Sequence, residues 1–286
     1  MIADLHIHST LSDGSDTREQ ILQKASALGI KVMSFTEHDS VAGYEDGIAL
    51  AASYGIKALP GVEISAYDFA SGKKAHILGF NYSGGEHITA LCEPLLMRRH
   101  GNSLRKIEIL RELGYKITEE DVRRYAGKYI YKQHILKYLV DSGQEDELFG
   151  KVYYTLFKQN GPCDFDITYV DAVEAVQAIN ADGGKAVLAH PGQQDNFSMI
   201  PQLKEAGLWG IELLHPMHNK DDREKVLAEA EKAAESMEDN IEKVAYFHYT
   251  ILAKMDDLRS SVDTAEALIP DSFLPYPTYD ELLFSV

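Results

Sequence analysis

Short runs of β-branched and other apolar residues alternate with helical patterns from the N-terminus to about residue 216. Helical segments fit between several of these runs; one is capped at Thr17 and stops at Gly29, and another stops at Gly183. This alternation is typical of parallel βα units and predicts an α/β fold. The runs are ADLHIHS from Ala3, KVMSFTEHD from Lys31, KALPGVEIS from Lys57, KAHILGFN from Lys74, KAVLAHP from Lys185 and GIELLHP from Gly210.

The alternation is interrupted once, between residues 91 and 160, where the sequence indicates several helices with Gly114 and Gly143 as stops. Because the strand pattern resumes afterwards, we expect an α/β body at residues 1–90 and 161–232 and a helical insertion at 91–160. From 217 to 269 there is neither Gly nor Pro, and apolar residues recur every three to four positions. This pattern predicts a helical tail at 233–286.

The composition restricts partners and location. A formal net charge of -17 at pH 7 disfavours long nucleic acid. It does not exclude a small anionic substrate, since bound cations can reverse the local field. The two cysteines, Cys92 and Cys163, lie far apart and predict no disulfide framework. With neither a secretory signal nor an apolar stretch of about 20 residues, we expect a cytoplasmic protein without a membrane partner.

Histidines and acids cluster where the predicted strands end. His6 and His8 leave the same face of the first strand, and Asp13 follows them closely. Taken singly, such histidines are more often packed or exposed side chains than ligands, but their coincidence at one sheet edge favours a cluster that binds zinc, manganese or iron(II). A carboxylate among apolar residues, as at Glu63, is costly unless it is paired or binds metal. The other members are His38 with Asp39, His76, His190 and His215.

Five segments resemble the polymerase and histidinol phosphatase (PHP) family of metal-dependent phosphoesterases, in the branch with a helical insertion between the fourth and fifth strands. They are DLHIHSTLSDG, FTEHDSVAGY, GVEIS, HILGF and AVLAHPG, which follow in order within residues 1–232. The resemblance implies a distorted (β/α)7 barrel and two or three divalent ions (Mn, Zn or Fe). It implies a bridging role for Glu63, which with His190 forms the catalytic pair. One departure from the family pattern is Glu37, where the family more often has Asp. The metal ligands it implies are His6, His8, Asp13, His38, Glu63, His76 and His190.

The same resemblance implies an activity. A metal-bound hydroxide would hydrolyse a phosphomonoester of a small nucleotide, for example a 3',5'-bisphosphonucleotide, or the 5' end of a short RNA. The segments YKQHILKYL, LFKQNGPCDF and HPMHN suggest phosphate contacts at Lys132, His134, Lys158 and His218. The alternative that these are ordinary solvated residues stays open.

The resemblance to the PHP family stops at Lys232, after which the family's usual last strand and GSDFHG motif are absent. Residues from about Ala233 instead resemble the extreme C-terminus of type III glutamine synthetases, without that enzyme's nucleotide or glutamate site. We therefore expect a PHP barrel that lacks its usual last strand. Two other functions stay open: histidinol-phosphate phosphatase, against which the insertion argues, and a catalytically impaired barrel that acts as an interaction protein.

Overall fold

The computed structural model describes residues 2–235, with side chains through residue 232. In this part of the chain, seven strands form one mixed sheet in the order β1-β2-β3-β4-β6-β7, with β5 paired to β3. Each run predicted from the sequence contains a strand, and the short β5 is an addition. The strands are β1 Ala3–Ile7, β2 Val32–Phe35, β3 Lys57–Asp68, β4 Lys73–Phe80, β5 Val170–Asp171, β6 Lys185–Leu188 and β7 Gly210–Ile211.

The helices begin and end at the signals in the sequence. Thr17 and Gln20 form a reciprocal capping box at the start of α1. Gly114 and Gly143 follow α3 and α5 at φ +95° and +68°, where glycine carries no steric penalty. None of the described helices is both long and apolar enough to cross a bilayer. The helices are α1 Arg18–Ala27, α2 Tyr44–Ser53, α3 Glu86–Glu112, α4 Glu119–Arg123, α5 Lys132–Asp141, α6 Lys151–Leu156, α7 Ala172–Ala181, α8 Pro191–Gln194, α9 Ile200–Glu205 and α10 Lys220–Glu235.

One strand, β4, does not belong to a parallel βα unit. This strand runs antiparallel to both β3 and β6. The reason is the connection between Asp68 and Lys73, a tight turn that includes Gly72 at φ +70° and is too short for a crossover helix. As a result, His76 lies in the middle of β4, opposite Ser65, and not at the carboxyl end of a parallel strand.

The two faces of the β3–β4 hairpin have different roles. Val62, Ile64 and Ile77 are fully buried and belong to one apolar cluster with Val176 and Ile179 of α7. Residues of the opposite face alternate with them and carry polar groups, because successive side chains of a strand point to opposite sides. Packing of the apolar face therefore fixes the direction of the polar one, on which lie Glu63, Ser65, Tyr67, Lys74 and His76.

Helices α3 to α6 share an apolar cluster of their own. Its buried members lie between Ile107 and Cys163, and they include Leu110, Ile135 and Leu139. α3 itself starts before residue 91 and runs unbroken to Glu112, so the predicted boundary at residue 91 falls within a helix. Residues 2–226 form one compact unit. The division into a body at 1–90 and 161–232 and an insertion at 91–160 stays a prediction, and the predicted tail lies outside the described residues from 236 onward.

Asp182, just after α7, caps the N-terminus of α3. Its carboxylate accepts the backbone N–H groups of His87 (3.1 Å) and Ile88 (2.9 Å) and a 2.7 Å bond from His87 Nδ1. Burial opposes ionisation of Asp182, but these donors outweigh burial and hold its pKa below the usual value. This carboxylate joins the start of α3 to the end of α7.

We expect Asp182→Ala to lower the free energy of unfolding by about 1–3 kcal/mol, because buried N–H groups lose their acceptor. Since the pKa of Asp182 is depressed in the folded state, its contribution is present above the unfolded-state pKa of about 4 and is lost as the pH falls through the folded value. Urea unfolding at pH 7 and pH 3 measures both effects. The exposed Glu108→Ala on the same helix is the control; equal effects at pH 7 would contradict the capping role.

Candidate metal centre

One buried carboxylate lies at the centre of the histidine cluster. Glu63 Oε1 is 2.8 Å from His76 Nδ1 and 3.0 Å from His190 Nε2. Its Oε2 is 3.0 Å from His8 Nε2 and 3.3 Å from both His6 Nε2 and His38 Nδ1. Glu63 is 1% exposed, so these side chains replace its water. The structure thus brings together five histidines, four of which lie at the ends of β1, β2 and β6 and one inside β4.

Asp13 extends the cluster on the side of β1. Its carboxylate oxygens lie 3.6 Å from His8 Nδ1 and 3.7 Å from His38 Nε2. Both separations exceed a hydrogen bond. They match two ligands of one ion, since donors about 2.1 Å from a tetrahedral centre are about 3.4 Å apart. Gln133 Nε2, at the start of α5, donates a 2.8 Å hydrogen bond to Asp13 and holds this carboxylate in place.

These residues fit divalent cations. Among residues 2–235, the Nδ1 atoms of His8, His38 and His190 are buried without a hydrogen-bond partner. A buried polar atom without a partner is costly unless something binds it. Imidazole nitrogens and carboxylate oxygens are the donors preferred by zinc, manganese and iron(II). Among the described residues, three compact groups could each hold an ion: His6 with Glu63 and His190, His8 with His38 and Glu63, and His6 with Glu212 and His215.

The charges of Glu63 and His38 suit a cation. Burial opposes ionisation of Glu63, but the surrounding histidines outweigh it and keep its pKa well below the usual value. Burial lowers the pKa of His38 well below its ordinary range, so His38 is a neutral imidazole. An ionised carboxylate beside a neutral imidazole is the protonation state that binding to a metal requires.

Glu37 organises the loop that carries Asp13. This buried carboxylate accepts 2.5 Å and 2.7 Å hydrogen bonds from the hydroxyls of Ser9 and Ser12 and a 3.1 Å bond from the Ser9 N–H. Gly14 closes the loop, and a Cβ there would lie 2.3 Å from the carbonyl oxygen of His8. The acid at position 37 therefore has a structural role beside the centre, which the sequence did not indicate.

Sequence reasoning missed two further residues of the site, Glu212 and Arg99. Glu212, the residue after β7, places Oε1 2.9 Å from His6 Nδ1. Asp39 receives a 2.6 Å hydrogen bond from Arg99 of α3, which also donates to Ser65 Oγ at 2.9 Å. The only signal for Glu212 was its place in GIELLHP, at the strand end that also carries His215.

The four predicted phosphate contacts are two lysines and two histidines, and they differ in burial and in hydrogen bonding. Lys132, at the start of α5, is half-buried, and Lys158 is exposed. His134 is buried, and burial lowers its pKa to about 4 although nearby Asp13 opposes the shift, so it is neutral. His218 is fully engaged: Nε2 accepts the Gly192 N–H at 3.1 Å and Nδ1 donates to the Leu213 carbonyl at 3.0 Å. In this arrangement His218 has no free ring nitrogen for a phosphate.

A short similarity agrees with the resemblance drawn for the tail. Over 60 residues the chain is 52% identical to a glutamine synthetase from Butyrivibrio fibrisolvens. The match spans 21% of this chain and only 9% of that enzyme. It carries no argument for synthetase activity.

Comparisons with known proteins identify the larger part of the chain. The family model of the PHP domain matches residues 4–180. The chain is 45% identical over 225 residues to a phosphoribosyl 1,2-cyclic phosphate 1,2-diphosphodiesterase from Eggerthella lenta, which covers 78% of this chain and 86% of that protein. A 3',5'-nucleoside bisphosphate phosphatase from Chromobacterium violaceum is 30% identical over 244 residues, which are 80% of this chain and 82% of that one.

A solved structure agrees with the same assignment. An amidohydrolase from Chromobacterium violaceum, determined with bound sulfate and no metal, superposes with a TM-score of 0.73 at 27% identity. The superposition covers 82% of this chain and 84% of that one. Together with the domain match over more than half of the chain, these similarities show that this chain belongs to the PHP-domain family of metal-dependent phosphoesterases.

Proposed function

We propose that the chain hydrolyses a phosphate ester of a small ribose-containing substrate that carries a second phosphate. The observation that carries the proposal is the single buried carboxylate of Glu63, within 3.3 Å of five imidazoles. Two substrates meet the description. A phosphoribosyl 1,2-cyclic phosphate is supported by the relative at 45% identity, and a 3',5'-bisphosphonucleotide by the relative at 30%.

Divalent ions at this centre would neutralise charge on the phosphoryl group and activate water for attack on phosphorus. The residues that would hold them are His6, His8, Asp13, His38, Glu63, His76 and His190, and Glu63 belongs to two of the compact groups. The chain contributes orientation. Gln133 fixes Asp13, and the Tyr131 hydroxyl donates a 2.8 Å hydrogen bond to the His38 carbonyl. The start of α5 thus contacts two sides of the centre, through Tyr131 and Gln133.

A group of lysines beside α5 suits the second phosphate. Burial lowers the pKa of Lys132 to about 8, and repulsion from Lys158 and Lys106 adds to the shift. Lys106 is 8% exposed, and burial lowers its pKa as well. Asp166 offsets part of this positive charge but is already paired with Lys74. An excess of ammonium groups in a protein of net charge -17 is a place where an anion is favoured.

Lys132 gives the proposal a pH signature. Lys132 carries its charge below about pH 8, so we expect kcat/KM to fall as the pH rises through that value. Lys132→Arg keeps the charge and should flatten this limb of the profile. Lys132→Met should lower kcat/KM by about 10- to 100-fold at pH 7, chiefly through KM, because a charge-assisted hydrogen bond is lost. Steady-state kinetics from pH 6 to 10 tests this; a Met variant with an unchanged KM would contradict it.

A substrate panel tests the proposal as a whole. Manganese- or zinc-supplemented protein is assayed with phosphoribosyl 1,2-cyclic phosphate, a 3',5'-bisphosphonucleotide, a 5'-phosphorylated short RNA and histidinol phosphate. We expect turnover of one of the first two, lost in His8→Ala and kept in His87→Ala, whose side chain is 62% exposed. Preference for histidinol phosphate would favour the alternative phosphatase. Activity that is absent, or that survives in His8→Ala, would favour the impaired barrel or a contaminant.

A further inference from the structure

The carboxylate of Glu212 joins two candidate ligands that come from different strands. Its Oε1 is 2.9 Å from His6 Nδ1, and its Oε2 accepts the backbone N–H of His190 at 2.8 Å. Its own N–H donates to the Leu188 carbonyl at 2.9 Å, which ties it to β6. Within the described residues, β1 pairs only with β2 and β7 only with β6. The Glu212 side chain therefore links residues near the two ends of the sheet.

The contact with His6 constrains the protonation of that ring. His6 points Nε2 at Glu63 and Nδ1 at Glu212. When one nitrogen of an imidazole binds an ion through its lone pair, the ring keeps a single proton, on the other nitrogen. An ionised carboxylate only accepts hydrogen bonds, so Glu212 favours the proton on Nδ1. The lone pair is then on Nε2, the atom that faces the centre.

The contact with His190 constrains its backbone. His190 has φ +26° and ψ +57°, a backbone conformation that residues other than glycine rarely adopt. A 2.8 Å bond from its N–H to a carboxylate is charge-assisted and offsets part of that strain. It fixes the point from which the ring reaches Glu63.

We propose that Glu212 is a positioning residue of the centre, which sets the tautomer of His6 and anchors His190 without itself binding an ion. The inference rests on the proposed function, because it requires His6 and His190 to be ligands. Glu212, His6 and His215 could also form a separate ion site. That arrangement would require His6 Nδ1 to give up its proton while Nε2 serves the main centre, so the geometry favours the positioning role.

Glu212→Gln tests the inference, because both partners of Glu212 are donors and a glutamine cannot accept from one without presenting its NH2 group to the other. Zn²⁺ affinity and stoichiometry are measured by competition with a chromophoric chelator. Protonation of the His6 ring in the Zn²⁺-loaded protein is read from ¹H–¹⁵N correlations. We expect affinity about 10- to 100-fold weaker for one ion, unchanged stoichiometry, and loss of the Nδ1–H signal of His6. Glu205→Gln, an exposed acid on α9, is the matched control.

The other possible results distinguish the positioning role of Glu212 from a ligand role and from failure of the proposed function. Affinity within twofold of the parent protein and an unchanged Nδ1–H signal would overturn the positioning role alone. Loss of one ion equivalent with full affinity for the rest would overturn it in favour of Glu212 as a ligand. A parent protein that binds no ion would overturn the proposed function together with this inference. If Glu212→Gln does not fold, Glu212→Asp, which keeps the charge but falls short of one partner, is measured in the same way, with weaker binding again expected.

Discussion

Replacing Glu63 by Gln is expected to lower phosphoesterase activity by at least about 1,000-fold, equivalent to about 4 kcal/mol of transition-state stabilisation. Glutamine has the same shape as glutamate but no charge. It also has only one acceptor oxygen, whereas five imidazoles surround the two carboxylate oxygens of Glu63. The buried NH2 group would also face histidine nitrogens that must keep lone pairs for a metal. We therefore expect bound divalent ions to be lost together with activity. Elemental analysis and kcat/KM under manganese saturation measure the two effects.

Glu119→Gln is the matched control for this prediction. Glu119 is an exposed carboxylate paired with Arg123, and it should keep parental activity and metal content. A Glu63→Gln protein that retains a tenth of the activity, or its full complement of ions, would show that this carboxylate does not hold the centre together.

Local signals made much of the fold predictable. The capping box at Thr17 and Gln20 lies within four consecutive residues. The helix stops at Gly114 and Gly143 each depend on one glycine. The strands were predictable because β-branched and apolar runs have few other stable conformations. The direction of β4 was not, because direction depends on the length of the connection to β3 and not on the composition of the strand.

The candidate site was predictable where histidines recur at the ends of the predicted strands. His6 and His8 share a strand face, and their Nε2 atoms reach the same oxygen of Glu63. Glu212 was missed because an acid at the end of a two-residue strand resembles any surface acid until the fold brings it to His6. The contacts of His218 were not predictable for a related reason, since its ring nitrogens bond to backbone groups that no sequence motif reveals.

Asp39→Ala is expected to lower the free energy of unfolding by about 3–5 kcal/mol. The Asp39 side chain is 0% exposed and accepts 2.6 Å hydrogen bonds from Arg99 Nη2 and from the Ser65 N–H. Its removal leaves the guanidinium of Arg99, whose side chain is 20% exposed, without a counter-charge between α3 and β3. Asp39 also has φ +59°, which alanine tolerates less well than aspartate or asparagine. Asp39→Asn keeps that conformation and one acceptor, so it should cost about half as much.

A second substitution distinguishes loss of the charge pair from general disruption. In Asp39→Ala/Arg99→Met the unpaired cation is gone, so we expect the double variant to be less destabilised than the sum of the two single variants, by about 1–3 kcal/mol. Asp16→Ala removes the carboxylate of an exposed pair with Lys24 and should change stability by less than about 0.5 kcal/mol. Urea unfolding of the four variants gives the values. Strict additivity would mean that Asp39 acts through its backbone conformation and the Ser65 contact, and that the ion pair with Arg99 does not hold α3 against the polar face of the sheet.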